Sequence, residues 1–187
     1  MTEPRNFDDV REQVLLQKCA QGDKTAFQAL YELTNRKVYA YINRVLQEKA
    51  DVDDVFVETY SEVWRSAAKF RGQSMVSSWI IGIARNLSMN LLKRERRHED
   101  IDQYPNIAED RQDAVDEQQR SQMLHHAITE LPQIHREVLG LILLPEFSYE
   151  QIADLMGIPL NTVKTRVYYA KAALKEKLQA MGISHEY

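Results

Sequence analysis

The stretch Phe147-Ser148-Tyr149-Glu150-Gln151-Ile152-Ala153-Asp154-Leu155-Met156-Gly157-Ile158-Pro159-Leu160-Asn161-Thr162-Val163-Lys164-Thr165-Arg166-Val167 decides how the chain is read. Ser148 and Gln151 have the spacing of a capping box at a helix start. Ile152, Leu155 and Met156 give that short helix an apolar face, and Ala153 is small where a second helix would cross closely. Gly157 can take the left-handed conformation that ends a helix. Pro159 forbids continuation, and Asn161 is positioned to cap a second helix. A short helix, a tight turn and a longer second helix make a helix-turn-helix.

At about 100° per residue, Val163, Val167, Ala170, Leu174 and Leu178 fall on one stripe of the second helix and face the core. Thr165, Tyr168, Tyr169 and Ala172 lie opposite, flanked by Lys164, Lys171 and Lys175 on one edge and Arg166 on the other. Such a face suits a DNA major groove, where Lys or Arg reaches guanine acceptors and Thr meets a thymine methyl. The alternative is the solvated side of a structural helical hairpin, since capped helix pairs are common.

Upstream, most long segments also show helical periodicity, which predicts an all-α fold. Phe27, Leu30, Tyr31, Thr34, Val38, Tyr41, Ile42 and Val45 form one face of a long helix, with Gly22 closing the helix before it and Asp23 as N-cap. Val52, Val55, Phe56, Val63, Trp64 and Ala67 mark the next helix, whose other face carries Asp54, Glu58, Ser61, Glu62 and Arg65. Trp79, Ile80, Ile83, Ala84, Leu87, Leu91 and Leu92 mark a third, ending in the basic run Lys93, Arg94, Arg96 and Arg97. A polar loop, Phe70 to Ser78, precedes it and contains Arg71, Gln73, Ser74, Met75 and Ser77. One helical face, through Arg85, Asn86, Ser88, Met89 and Asn90, continues the basic run upstream. Amide and hydroxyl groups beside Arg and an aromatic suit unstacked bases. Trp79 reads first as core, and a basic run this short reads first as a solvated helix end that complements the helix dipole.

The 187 residues carry 24 Lys+Arg, 28 Asp+Glu and one Cys. Residues 1–97 sum to +3, residues 98–120 to −6 and residues 121–187 to −1. Pro105, few apolar side chains and high acidity predict a flexible linker over 98–121. Stretched out, its ~24 residues span at most about 80 Å. The expected organisation is two small helical domains, 1–97 and 122–187, joined by that acidic linker. No apolar run reaches the roughly 18 residues of a membrane span, and the polar N-terminus argues against a secretory signal. The lone Cys19 excludes an internal disulfide or a zinc ribbon and fits a reducing cytoplasm. No zinc-protease histidine spacing or glycine-rich phosphate loop points to an enzyme. A freestanding DNA binder would carry a stronger basic excess, so a larger partner is expected to supply much of the electrostatic grip.

The segments Phe27-Gln28-Ala29-Leu30-Tyr31, Asp53-Asp54-Val55-Phe56-Val57-Glu58-Thr59-Tyr60, Val63-Trp64-Arg65, Phe70-Arg71-Gly72, Ser78-Trp79-Ile80-Ile81-Gly82-Ile83-Ala84-Arg85-Asn86 and Leu131-Pro132 resemble the extracytoplasmic-function (ECF) group of bacterial sigma factors. The resemblance covers nearly the whole chain. It implies a protein that binds core RNA polymerase and directs it to promoter DNA, with no catalysis, cofactor or small-molecule substrate. It matches Asp54, Glu58, Glu62 and Arg65 to the segment that docks on the polymerase. Arg71, Gln73, Ser74, Met75, Ser77, Trp79, Arg85 and Asn86 match the part that captures a flipped base of the −10 element, with Lys93, Arg94, Arg96 and Arg97 along the DNA backbone. The helix-turn-helix, with Ser148, Asn161, Thr162, Lys164, Thr165, Arg166, Tyr168, Tyr169 and Lys171, matches the reader of the −35 element. A membrane-linked anti-sigma factor is an implied partner, which could bring the protein to the inner face of the membrane. Val57 departs from a frequent Gln of the family, and Tyr169 from a frequent basic residue.

Two readings compete with this one. A freestanding helix-turn-helix repressor or activator would dimerise on palindromic sites, and a protein–protein adaptor would clasp a partner helix in its apolar grooves. The acidic linker reads either as a solubilising tether or as a nucleic-acid mimic threading a basic polymerase channel.

Overall fold

Local side-chain caps at Asp23 and Ser148 set two of the helix starts in the computed structural model. It describes residues 7–99, 117–145 and 147–182, with side chains over 9–95, 122–145 and 147–182. Among the described residues there are eight α-helices and no strand, the all-α class expected from periodicity. The chain divides into two units, Met1–Asn90 and Leu91–Tyr187. That division and the expected boundary at 97 both fall within one helix, Val76–Glu99. Of the expected linker, residues 100–116 lie outside the described residues, while 98–99 and 117–121 are helical.

The first unit comprises α1 (Phe7–Ala20), α2 (Lys24–Val45), α3 (Lys49–Ser66), a 3-10 turn (Ala67–Lys69) and the start of α4 (Val76–Glu99). Asp23 caps α2 as expected, its Oδ1 accepting from the N–H groups of Thr25 (2.9 Å) and Ala26 (3.0 Å). α1, α2 and α3 pack on one another. Leu30, Val38, Ile42 and Val45 of α2 and Val52, Val55 and Val63 of α3 are buried. Burial of each such side chain stabilises the fold by about 1.5–3 kcal/mol relative to exposure. Buried Thr34, Thr59 and Ser66 turn their hydroxyls back to carbonyls one turn earlier (2.8, 2.7 and 2.6 Å), so none is left without a partner.

Helix α4 differs from the sequence expectation in its rotation. Its buried residues are Val76, Ser77, Ser78, Ile80, Ile81, Ala84 and Ser88, while Trp79, Ile83, Leu87, Leu91 and Leu92 are half-buried. Ser88, expected on the polar outer face, is fully buried and donates to the Ala84 carbonyl at 2.9 Å. The small side chains of Ser77, Ser78 and Ser88 let the adjacent Ile80 and Ile81 both enter the core. That pair rotates the buried stripe away from the bulkier Trp79. Ser88 satisfies its hydroxyl within the helix, whereas the buried Ser78 hydroxyl has no hydrogen-bond partner among the described residues.

The second unit holds α5 (Glu117–Thr129), α6 (Gln133–Ile142), α7 (Tyr149–Met156) and α8 (Leu160–Ala180). The capping box forms in both directions: Gln151 N–H donates to Ser148 Oγ (3.2 Å), and Ser148 N–H donates to Gln151 Oε1 (2.7 Å). Gly157 ends α7 at φ 65°, ψ 36°, in left-handed space that a side chain would penalise. α8 starts earlier than expected. The Pro159 carbonyl accepts from Thr162 (2.8 Å) and Val163 (3.1 Å), so Pro159 flanks the helix and Asn161 lies inside its first turn. Asn161 is therefore not the cap. Val138, Leu141, Ile152, Val163 and Ala170 are fully buried, and Arg136 donates to the carbonyls of Thr129 (3.1 Å) and Leu131 (3.0 Å) where α5 gives way to α6.

Candidate nucleic-acid interface

The turn Gly157 to Pro159 sends α8 across α7 with Val163, Val167 and Ala170 inward. The opposite side is accordingly open. Lys164, Thr165, Tyr168, Tyr169 and Lys171 are exposed, Tyr168 at 70% and Tyr169 at 58%. The two tyrosine rings meet edge to face, centroids 5.4 Å apart, which orders an aromatic ridge on this face. Thr165 donates its hydroxyl proton to the Asn161 carbonyl (2.9 Å), so it presents a methyl and a lone pair outward rather than a donor. Ser148 and Asn161 are exposed, and Thr162 and Arg166 are half-buried. The structure thus brings the expected α8 residues onto one side of one helix.

On α4, a stripe opposite the core runs through Trp79, Ile83, Asn86, Asn90 and Lys93 at alternating four- and three-residue steps. Asn86, Lys93 and Arg94 are exposed and Arg85 is half-buried; the side chains of Arg96 and Arg97 lie outside the described residues. Trp79 belongs to this outer stripe rather than to the core, half-buried with its ring 5.3 Å from that of Phe70. This ring contact ties the start of the loop to the first turn of α4. In the loop Arg71, Gln73 and Ser74 are exposed, Met75 is half-buried and Gly72 takes φ 68°. Ser77 does not belong to the open loop. α4 has already begun there, and Ser77 is 5% exposed.

The acidic face of α3 is partly self-neutralised. Arg65 reaches both Glu58 and Glu62, the latter at 3.3 Å, and the three side chains stay 36–59% exposed. Asp54 is exposed on the same helix. Beside this face lies a feature the sequence did not reveal: an open apolar groove of about 570 Å³ lined by Phe27, Tyr31, Phe56, Val57, Tyr60 and Trp64. Its rings interlock edge-on, with centroids 4.8 Å apart for Tyr31–Tyr60 and 5.2 Å for Phe27–Trp64. Val57, at 66% exposure, forms part of its lining. Burial holds the Tyr60 phenol well above the usual tyrosine range.

Family comparison reads the same two segments. The sigma-70 region 2 model matches residues 30–98, and the sigma-70 region 4 model matches residues 121–174. The chain belongs to the sigma-70 family, among its ECF members. Over 93% of its length it is 29% identical to the ECF RNA polymerase sigma-E factor of Haemophilus influenzae, covering 98% of that protein. Identity to the RNA polymerase sigma-H factor of Pseudomonas aeruginosa is also 29%, over 91% of this chain and 95% of that one. The sigma factor RpoE of Bartonella quintana, solved with the anti-sigma factor NepR, superposes with a TM-score of 0.65 at 25% identity, covering 82% of this chain and 96% of that one. CnrH, solved with the cytosolic domain of CnrY, shares the fold with a TM-score of 0.64 at 22% identity, covering 91% of this chain and 98% of that one. A sigma factor works in transcription initiation through core RNA polymerase and promoter DNA and is not an enzyme. No helix among the described residues of this sigma factor is long and apolar enough to cross a membrane.

Proposed function

We propose that this sigma factor reads its promoters with two separate surfaces. The exposed side of α8 enters the major groove at the −35 element: Lys164, Lys171 and Arg166 reach bases and phosphates, and Thr165 and the Tyr168–Tyr169 ridge offer apolar contact. The loop Arg71 to Met75 and the α4 stripe from Trp79 to Asn86 take up a −10 base that has left the duplex. Unstacking costs a few kcal/mol per step, which contacts to the extruded base offset. Lys93 and Arg94, continued by Arg96 and Arg97, follow the DNA backbone. Ser77, being buried, contributes through the helix start rather than by touching DNA.

Asp54, Glu58, Glu62 and Arg65 dock on the polymerase. The apolar groove beside them fits a partner helix, and an anti-sigma factor that covers it holds the protein inactive. The protein acts in the cytoplasm, and a membrane-linked anti-sigma factor would draw it to the inner membrane face. The observation that carries the −35 assignment is the α8 face itself, basic and aromatic on the side opposite Val163, Val167 and Ala170. The −10 assignment is tested with Asn86→Ala. Permanganate reactivity of melted thymines on a responsive promoter is expected to fall while affinity for core polymerase stays level. Equal losses in both would count against the assignment.

A further inference from the structure

Helix α4 starts without a local cap. Met75 stands where Ser, Thr, Asp or Asn is preferred, and the Ser74 hydroxyl donates to the Met75 carbonyl (3.2 Å) rather than accepting from the helix. The leading N–H groups are met instead from α1. Ser77 N–H donates to Glu12 Oε2 at 3.0 Å, and Val76 N–H donates to Asp9 Oδ1 at 3.4 Å, across sequence separations of 65 and 67. Both carboxyl-bearing residues are only 4% exposed. Buried carboxyl groups are costly unless hydrogen-bonded, and the positive end of a helix is a favourable place for them.

α1 also packs against the 3-10 turn Ala67–Lys69, which leads into the other end of the loop. Leu16 and Gln17 of α1 line a cavity of about 430 Å³ together with Phe70, Arg71 and Gly72. One helix therefore holds both ends of the loop Phe70–Met75, and the Phe70–Trp79 ring contact closes the span between them.

We propose that Asp9 and Glu12 are positioning residues for promoter melting: from α1 they cap α4 and fix the direction in which the loop presents Arg71, Gln73 and Ser74. The inference rests on the assignment of that loop to base capture. Neither residue touches DNA. Their effect passes through the backbone of Val76 and Ser77.

The test uses holoenzyme assembled from core polymerase and the full chain, on a promoter fragment selected with the wild-type protein. Glu12→Leu removes the acceptor and is expected to lower permanganate-detected opening about tenfold, the scale of a lost helix cap. Glu12→Gln keeps an acceptor oxygen without the charge and is expected to lower it about threefold, the scale of a lost charge–dipole interaction. Affinity for core polymerase is expected to stay within about twofold for both, and amide exchange at Val76 and Ser77 to quicken. Wild-type opening in both variants, or opening that falls only in step with core binding, overturns the proposal. If Glu12→Leu does not fold, Glu12→Gln decides by the same criteria. Gln73→Ala separates the two ideas. Normal opening with that variant refutes base capture by the loop, whereas poor opening beside unaffected Glu12 variants refutes only the capping role.

Discussion

The buried hydroxyl pair Thr34–Tyr60 yields a prediction in which two substitutions together do less harm than one. Thr34 Oγ1 donates to the Leu30 carbonyl at 2.8 Å, which uses its single proton. The Tyr60 hydroxyl, 2.8 Å away, must therefore be the donor between them. Tyr60→Phe removes that donor but leaves Thr34 bonded to Leu30, so it should cost about 0.5–1.5 kcal/mol. Thr34→Val is isosteric but strands the Tyr60 hydroxyl in a site only 6% exposed, a loss of about 1–3 kcal/mol. With both changes no polar group is stranded, and the double variant should be more stable than Thr34→Val alone. Trp64 and Trp79, the only tryptophans in the chain, both lie in the first unit, so fluorescence-monitored unfolding reports on that unit alone. At about 4–8 °C per kcal/mol for a domain of this size, the differences are readily resolved. Strictly additive losses would refute the donor assignment.

Three further outcomes are expected. Ser148→Ala opens the capping box and should destabilise the second unit by about 1 kcal/mol, seen as a lower midpoint of helix loss in circular dichroism; an unchanged midpoint would contradict the two-way cap. Tyr169→Ala should weaken binding to a −35 duplex while leaving affinity for core polymerase unchanged, as read by competition binding of holoenzyme to matched and scrambled −35 sites. Cys19 is 3% exposed, and burial first, then the nearby Asp23 charge, raise its thiol pKa. Less thiolate is present at any given pH than for a free cysteine, so alkylation at pH 8 should be slow in the native protein and fast in urea. Native reactivity equal to the unfolded rate would contradict that burial.

The helix-turn-helix is legible in the sequence because its signals are local. Ser148, Gln151, Gly157 and Pro159 each act on backbone within one turn, and the structure forms the box and the left-handed stop at those residues. The polar face of α8 is legible for a related reason: Val163, Val167 and Ala170 fix its rotation unambiguously. The rotation of α4 is not, because Trp79 and Leu87 look like stronger core anchors than Ser77 and Ser88. Small serines buried at close helix contacts leave no trace in hydropathy. The start of α8 is displaced by the Pro159 carbonyl, which serves the first turn without any side chain. Two features depend on contacts far apart in sequence and have no local signal at all. These are the carboxyl caps from Asp9 and Glu12, and the aromatic groove, whose members individually look like core.

The most direct measurement of the central claim is run-off transcription by purified core polymerase on a library of genomic fragments, with and without this protein. The account predicts that adding it yields discrete transcripts from a subset of fragments, sharing spaced −35 and −10 sequences and lost on mutation of either. Transcription that is unchanged by the protein, or stimulated equally on every fragment, would contradict it.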